Sequence, residues 1–230
     1  MCARAPLDSG VAFTVCTRFA FLWLTTGLVL PSCLAQLAGS SLSLSSRCEL
    51  QLFCELVKAA STAHLFATQL PPEHASALMP RGELRAAGLG VAGATLCLLS
   101  SSVISGSLFG QAASPGELAT LLGGPDLAAA AAAAASACLV APAVEEAAFR
   151  GVLLPALAAR LPAPAAAALS AAVFAAAHAG SPNQSLQLWA VGCVLAGTAA
   201  MAESNLLAPL LAHALYNAAV LGLLAKTLPA

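Results

Sequence analysis

The chain has 230 residues, of which 60% are hydrophobic and only 8% charged, and its mean hydropathy is +0.87. A soluble globular domain carries about 25% charged residues, so this composition points to a membrane protein. The net charge of −1 gives no basis for nucleic-acid binding, and eight cysteines without a CxxC pair argue against a zinc ribbon or a disulfide framework.

Arg4 and Arg18 precede an apolar run, Phe19 to Leu30, which is followed by Pro31 and small residues near Ala35. This order fits a cleavable signal peptide. It equally fits an uncleaved first transmembrane helix over 13–37, since a span needs roughly 20 residues. Residues 1–47 are therefore a targeting or anchor segment. The serine-rich, acid-poor stretch Gly39 to Arg47 adds a weak plastid-like signature.

Residues 48–85 are the most polar part of the chain. Leu50, Phe53, Leu56 and Val57 have helical spacing, so the segment reads as an amphipathic or solvent-facing linker. His64 and His74 lie in this polar context without metal-ligand spacing and read as solvated.

From residue 86 onward the chain is a train of apolar segments, with spans expected at 87–110, 127–148, 164–179, 186–202 and 206–226. Ser114-Pro115-Gly116, Gly123-Gly124-Pro125-Asp126, Leu161-Pro162-Ala163-Pro164 and Gly180-Ser181-Pro182-Asn183 separate them, and Asp126 is placed to cap the helix after it. Residues 151–160 read as a continuation of the second span, kinked at Pro155. The alanine tract 128–135 is either compositional bias or a close-packing surface. The expected fold is an all-α, polytopic transmembrane helical bundle, with residues 86–230 as the membrane domain and 127–226 as its core.

Few titratable side chains lie in that core. Arg160, Glu203 and Lys226 fall near helix ends, where long side chains reach water. Glu145, Glu146, Arg150, His178 and His213 are harder to dismiss, because a charge at membrane depth faces a protein interior or a water-filled cavity. Glu146 and Arg150 are spaced i, i+4 with the acid first, the favourable order for a helical ion pair. Glu145 points about 100° away from Glu146 on the helix and has no such partner nearby in sequence, which suits general-base work. His178 closes Phe174-Ala-Ala-Ala-His178. His213 and Asn217, again i, i+4, share one helix face and can both donate to a single point, as an oxyanion requires. These groups fit a buried hydrolytic site. They equally fit a zinc set of Glu145, His178 and His213, although no HExxH occurs.

Glu145-Glu146-Ala-Ala-Phe-Arg150-Gly151, Phe174-Ala-Ala-Ala-His178 and His213-Ala-Leu-Tyr-Asn217, in this order on apolar segments, resemble the CPBP family of intramembrane proteases. That family includes the type II CAAX prenyl endopeptidases and the bacteriocin-processing and immunity proteins. The resemblance covers about residues 127–226. It implies a water-activating Glu145, a His178 that helps hold the water, and an oxyanion pair His213 and Asn217. Glu146, Arg150 and Phe174 would support them. The family has been described both as glutamate and as metallo-endopeptidases; no cofactor is firmly implied, zinc remains an option, and the glutamate reading is preferred. The implied function is endoproteolysis of a membrane-associated or prenylated peptide at the bilayer, in the endoplasmic reticulum or plastid membrane of a eukaryote. The alternative is a catalytically silent membrane chaperone or immunity-type binding protein. Few apolar segments precede the motifs, so the N-terminal half is expected to be shorter than in the eukaryotic prenyl endopeptidases, whose lipid pocket and CAAX specificity then need not carry over.

Overall fold

A computed structural model describes residues 8–38, 42–105, 126–178 and 182–226, and every regular element among them is helical. In chain order these are α1 (Ser9–Leu24), α2 (Leu30–Ala38), α3 (Leu44–Gln69), α4 (Pro72–Ala77), α5 (Leu84–Ser105), α6 (Leu127–Ala135), α7 (Ala141–Ala148), α8 (Leu154–Ala158), α9 (Ala163–Ala177), α10 (Pro182–Met201) and α11 (Leu207–Lys226). Gly10–Leu34, Leu84–Ile104 and Leu127–Ala158 are long and apolar enough to cross a membrane, and Ala163–Ala177 and Leu207–Leu223 are shorter apolar helices. The expected all-α membrane bundle is what the chain forms. The breaks expected at Ser114-Pro115-Gly116 and Gly123-Gly124-Pro125, and residues 106–110 of the first expected span, lie outside the described residues.

The second span continues past residue 148, as expected, and runs on to residue 158 through two π-helical stretches. Among the described residues three π-helical stretches occur, Thr25–Val29, Ser136–Val140 and Phe149–Leu153, and each ends two residues before a proline: Pro31, Pro142 and Pro155. The reason is steric. A proline inside an α-helix has no N–H to give and its ring clashes with the carbonyl four residues back. Widening the preceding turn relieves the clash, and the residue before each proline then bonds five residues back: Leu30 to Thr25, Ala141 to Ser136 and Leu154 to Phe149. Each proline falls at the start of the next α-helical run, where its missing N–H is tolerated.

Asp126 caps α6 as expected, accepting from the Ala129 N–H at 3.0 Å. It also accepts a hydrogen bond from Ser45 near the start of α3, and these two bonds hold its carboxyl below the usual carboxylate range.

The core joins the N-terminal helix to the motif helices. Ala12 and Val15 of α1 are buried with Leu65 and Phe66 of α3, with Ala148, Phe149 and Val152, and with Phe174 of α9. Helix α5 packs on α10 and α11. Small residues make these approaches possible, as is usual between membrane helices. A side chain on Gly93 would meet Thr198 and Ala212 within 3 Å, and one on Gly192 would stand 3.0 Å from the Ala171 backbone.

Helix α3 departs from the expected linker face. Phe53 and Leu56 are more than half exposed, whereas Glu55, Lys58 and Thr62 are buried. Phe53 and Leu56 thus face outward where the Glu55–Lys58 pair faces the bundle, while Leu65 and Phe66 further along the helix are buried and Glu49 is exposed. His64 is exposed, and His74 lies half-buried 3.7 Å from Glu73. Glu203, at the end of α10, is exposed and pairs with Arg85 at 3.1 Å.

Candidate active site

Glu145 and Glu146 stand on α7, Arg150 in the π-helical stretch after it, Phe174 near the end of α9, His178 at its C-terminal cap, and His213 and Asn217 on α11. All except His178 and Asn217 are buried. Three helices distant in sequence thus meet around two carboxylates.

Glu146 is the hub of this cluster. Its Oε1 accepts from Arg150 at 2.9 Å and from His213 Nδ1 at 2.9 Å. The second terminal nitrogen of Arg150 donates to the Gly192 carbonyl on α10 at 3.1 Å, and the guanidinium lies 4.7 Å over the Phe174 ring. One ion pair therefore ties α7, α9, α10 and α11 together. The expected i, i+4 pair is present. The direct tie from Glu146 to His213 was not legible in the spacing, because it joins residues 67 positions apart.

Glu145 has a different setting. Its Oε2 lies 3.7 Å from His178 Nε2 and 3.8 Å from His213 Nε2. Both rings are oriented through their other nitrogen. His178 Nδ1 lies 2.7 Å from the Phe174 carbonyl, which can only accept, so Nδ1 carries a proton. His213 Nδ1 donates in the same way to the Glu146 carboxylate. In the neutral rings, both Nε2 lone pairs are turned toward the same carboxylate oxygen. These separations exceed a direct hydrogen bond and are the kind a single water bridges.

Asn217 stands one turn beyond His213, and its Nδ2 donates to the Ala137 carbonyl at 2.7 Å. The local backbone explains this. In the π-helical stretch before Pro142, the carbonyl of Ala137 is the one that residue 142 would have bonded, and proline has no N–H to offer. Asn217 takes that carbonyl with one N–H and keeps a second N–H and its Oδ1. The sequence signal was available in Pro142, five residues after Ala137.

Trp23 of α1 was also missed. Its ring lies 6.3 Å from that of His178, and it lines an apolar cavity of about 320 Å³ together with Phe19, Phe66, Phe149 and Val152. Nothing in the sequence of the N-terminal segment marked it as a neighbour of the motif residues.

Residues 126–219 match the family of type II CAAX prenyl endopeptidases, Rce1-like. No curated protein and no solved structure matches the chain. The Rce1-like segment holds all three motifs and bears out the resemblance read from them. It begins at the residue that caps α6 and ends two residues after Asn217, so α1 to α5 lie outside it. The Rce1-like family suggests a protease of the CAAX type, hence a hydrolase, and the apolar helices around the segment make the chain an integral membrane protein.

Zinc needs three or four ligands drawn together around one point. Among the described residues, no group of three or more His, Cys, Asp or Glu side chains meets as a metal-ion site.

Proposed function

We propose that the chain is an intramembrane endopeptidase that cleaves a membrane-associated, prenylated peptide by means of a water activated by Glu145. The observation that carries this reading is the pair of imidazole Nε2 atoms turned toward one buried carboxylate oxygen, at 3.7 and 3.8 Å. A water between them gives one proton to Glu145 while His178 Nε2 accepts from the other. Its oxygen attacks the peptide carbonyl carbon, and the C=O π pair moves onto oxygen. Collapse of that intermediate breaks the C–N bond, and the proton held by Glu145 passes to the leaving amine.

The oxyanion is met by the second N–H of Asn217. His213 joins it as a donor only in its doubly protonated form, because Nδ1 is committed to Glu146. Glu146 and Arg150 hold His213 in place. The apolar cavity beside Phe149 and Trp23 is of a size that ligand sites have, roughly 300–1,000 Å³, and suits a lipid chain.

The test is cleavage of a pooled library of prenylated and unprenylated peptides by the purified, detergent-solubilised protein. Cleavage kept in EDTA but lost in Glu145→Gln supports the reading. Loss in EDTA as well turns it toward a metal enzyme. No cleavage by a folded wild type overturns it in favour of a membrane-partner binding protein.

A further inference from the structure

Glu146 has a second oxygen with no assigned work. Its Oε1 carries Arg150 and His213, but Oε2 is buried with no hydrogen-bond partner among the described residues. The hydroxyl of Thr62 on α3, a residue only 3% exposed, is in the same position. Other helical threonines behave differently. Thr17, Thr25, Thr26, Thr68, Thr95 and Thr198 each return their hydroxyl to a carbonyl four residues back. Thr62 makes no such bond, so its hydroxyl is uncommitted.

Both residues line one cavity of about 330 Å³, bounded by α3, α4, α7 and the start of α11. The other side chains in its wall are apolar. A lipid chain there would leave a carboxylate oxygen and a hydroxyl unpaired, each at a cost in free energy. The wall also includes Met79 and Pro80, both exposed, and the chain continues from them into Arg81 and Glu83, exposed as well. The cavity therefore lies against a polar end of the bundle. Arg150, whose Nε is likewise unpartnered, lines a neighbouring cavity of about 560 Å³ with His74 and Ser204; Leu78 and Leu206 line both cavities.

We propose that the cavity between Thr62 and Glu146 is a water site, and that Thr62 is a positioning residue acting through that water. The water donates to Glu146 Oε2 and bonds the Thr62 hydroxyl. A water takes roughly 30 Å³ of liquid volume and needs two or more polar partners, and this cavity supplies both. The effect passes through one ring. Water on Oε2 fixes the plane of the Glu146 carboxylate, the carboxylate holds His213 by Nδ1, and His213 Nε2 then stays turned toward Glu145. The positioning role rests on the endopeptidase reading; the water site does not.

The first arm of the test needs no activity. The full chain in detergent is exposed to an X-ray pulse, and oxidation of side chains by radicals formed from local water is read by mass spectrometry. Val144, 4% exposed, lines this cavity, whereas Leu195, 0% exposed, sits in the core between α5, α10 and α11. Val144 should be oxidised well above Leu195, and Thr62→Val should remove most of the difference. Equal protection of both side chains in the wild type, as a dry or lipid-filled cavity would give, overturns the water site. The second arm is a crossed pair, read on a peptide that the wild type cleaves. Thr62→Val keeps the shape and loses the hydroxyl, and should lower kcat by about tenfold at unchanged KM, the size of one lost hydrogen bond to a charged group. Thr62→Ser keeps the hydroxyl and loses the methyl group, and should retain the wild-type kcat. The reverse order, or equal losses in both that follow the melting midpoint, makes Thr62 a packing residue and overturns its positioning role. If the folded wild type cleaves no peptide, the endopeptidase reading fails and the positioning role with it, while the oxidation of Val144 still decides the water site.

Discussion

Glu145 and Glu146 are neighbours in sequence and do opposite work. Glu146 is 1% exposed and spends one oxygen on Arg150 and His213 together. Replacing it with alanine leaves the Arg150 charge buried and unpaired, and should cost about 3–5 kcal/mol, read as a large fall in thermal midpoint. Glu145 has no cation against it, so Glu145→Gln should keep the fold and lower the cleavage rate by about 10²-fold or more, measured as kcat against an unchanged melting curve. The sequence held half of this contrast. The i, i+4 spacing pointed to the Glu146–Arg150 pair and set Glu145 apart. It was silent about His213, because nothing in a linear pattern brings α11 against α7. It also left both nitrogens of His213 open, whereas the structure commits Nδ1 and leaves Nε2 for Glu145.

At the scale of elements, the π-helical stretches decide where the site residues point. Pro142→Ala would restore an N–H facing the Ala137 carbonyl and compete with Asn217 for it. Activity should fall while the thermal midpoint holds or rises, a separation that a packing defect would not produce. Gly192 is the second element-level control. Its missing side chain lets α10 close on Ala171 of α9 and hold its carbonyl against Arg150. Gly192→Ala should cost about 1–3 kcal/mol by overpacking, visible in the melting curve. The Ser45–Asp126 contact links α3 to the start of α6. The folded carboxyl of Asp126 lies below its ordinary value of 3.8, so its contribution is complete above that value and is lost as pH falls through the lowered one. Asp126→Asn should therefore flatten the acid limb of a pH–stability profile below about pH 4 and leave it unchanged near neutrality. Most helix positions were legible from apolar run length and from Pro and Gly breaks. The face of α3 was not, because the usual rule that apolar residues turn inward assumes water outside.

For the whole molecule, an apolar surface surrounds an interior that holds both an apolar core and buried charges. Phe13, Phe21, Leu84, Val103 and Leu127 are each at least two-thirds exposed, while Glu55, Lys58, Glu145, Glu146 and Arg150 are buried. Helix α1 belongs to the same body, since Ala12 and Val15 sit in the core with Phe149 and Phe174. The purified protein is expected to retain this helix, which intact-mass measurement checks, and deleting residues 1–38 should abolish a cooperative transition. This distribution also has a thermal consequence. Water-soluble proteins have domed stability curves because unfolding wets apolar surface and raises the heat capacity. Separating these helices within a bilayer would wet almost none, since their apolar sides already face lipid. The heat-capacity increment of that separation should be close to zero, its stability should vary nearly linearly with temperature, and the bundle should show no cold-labile regime.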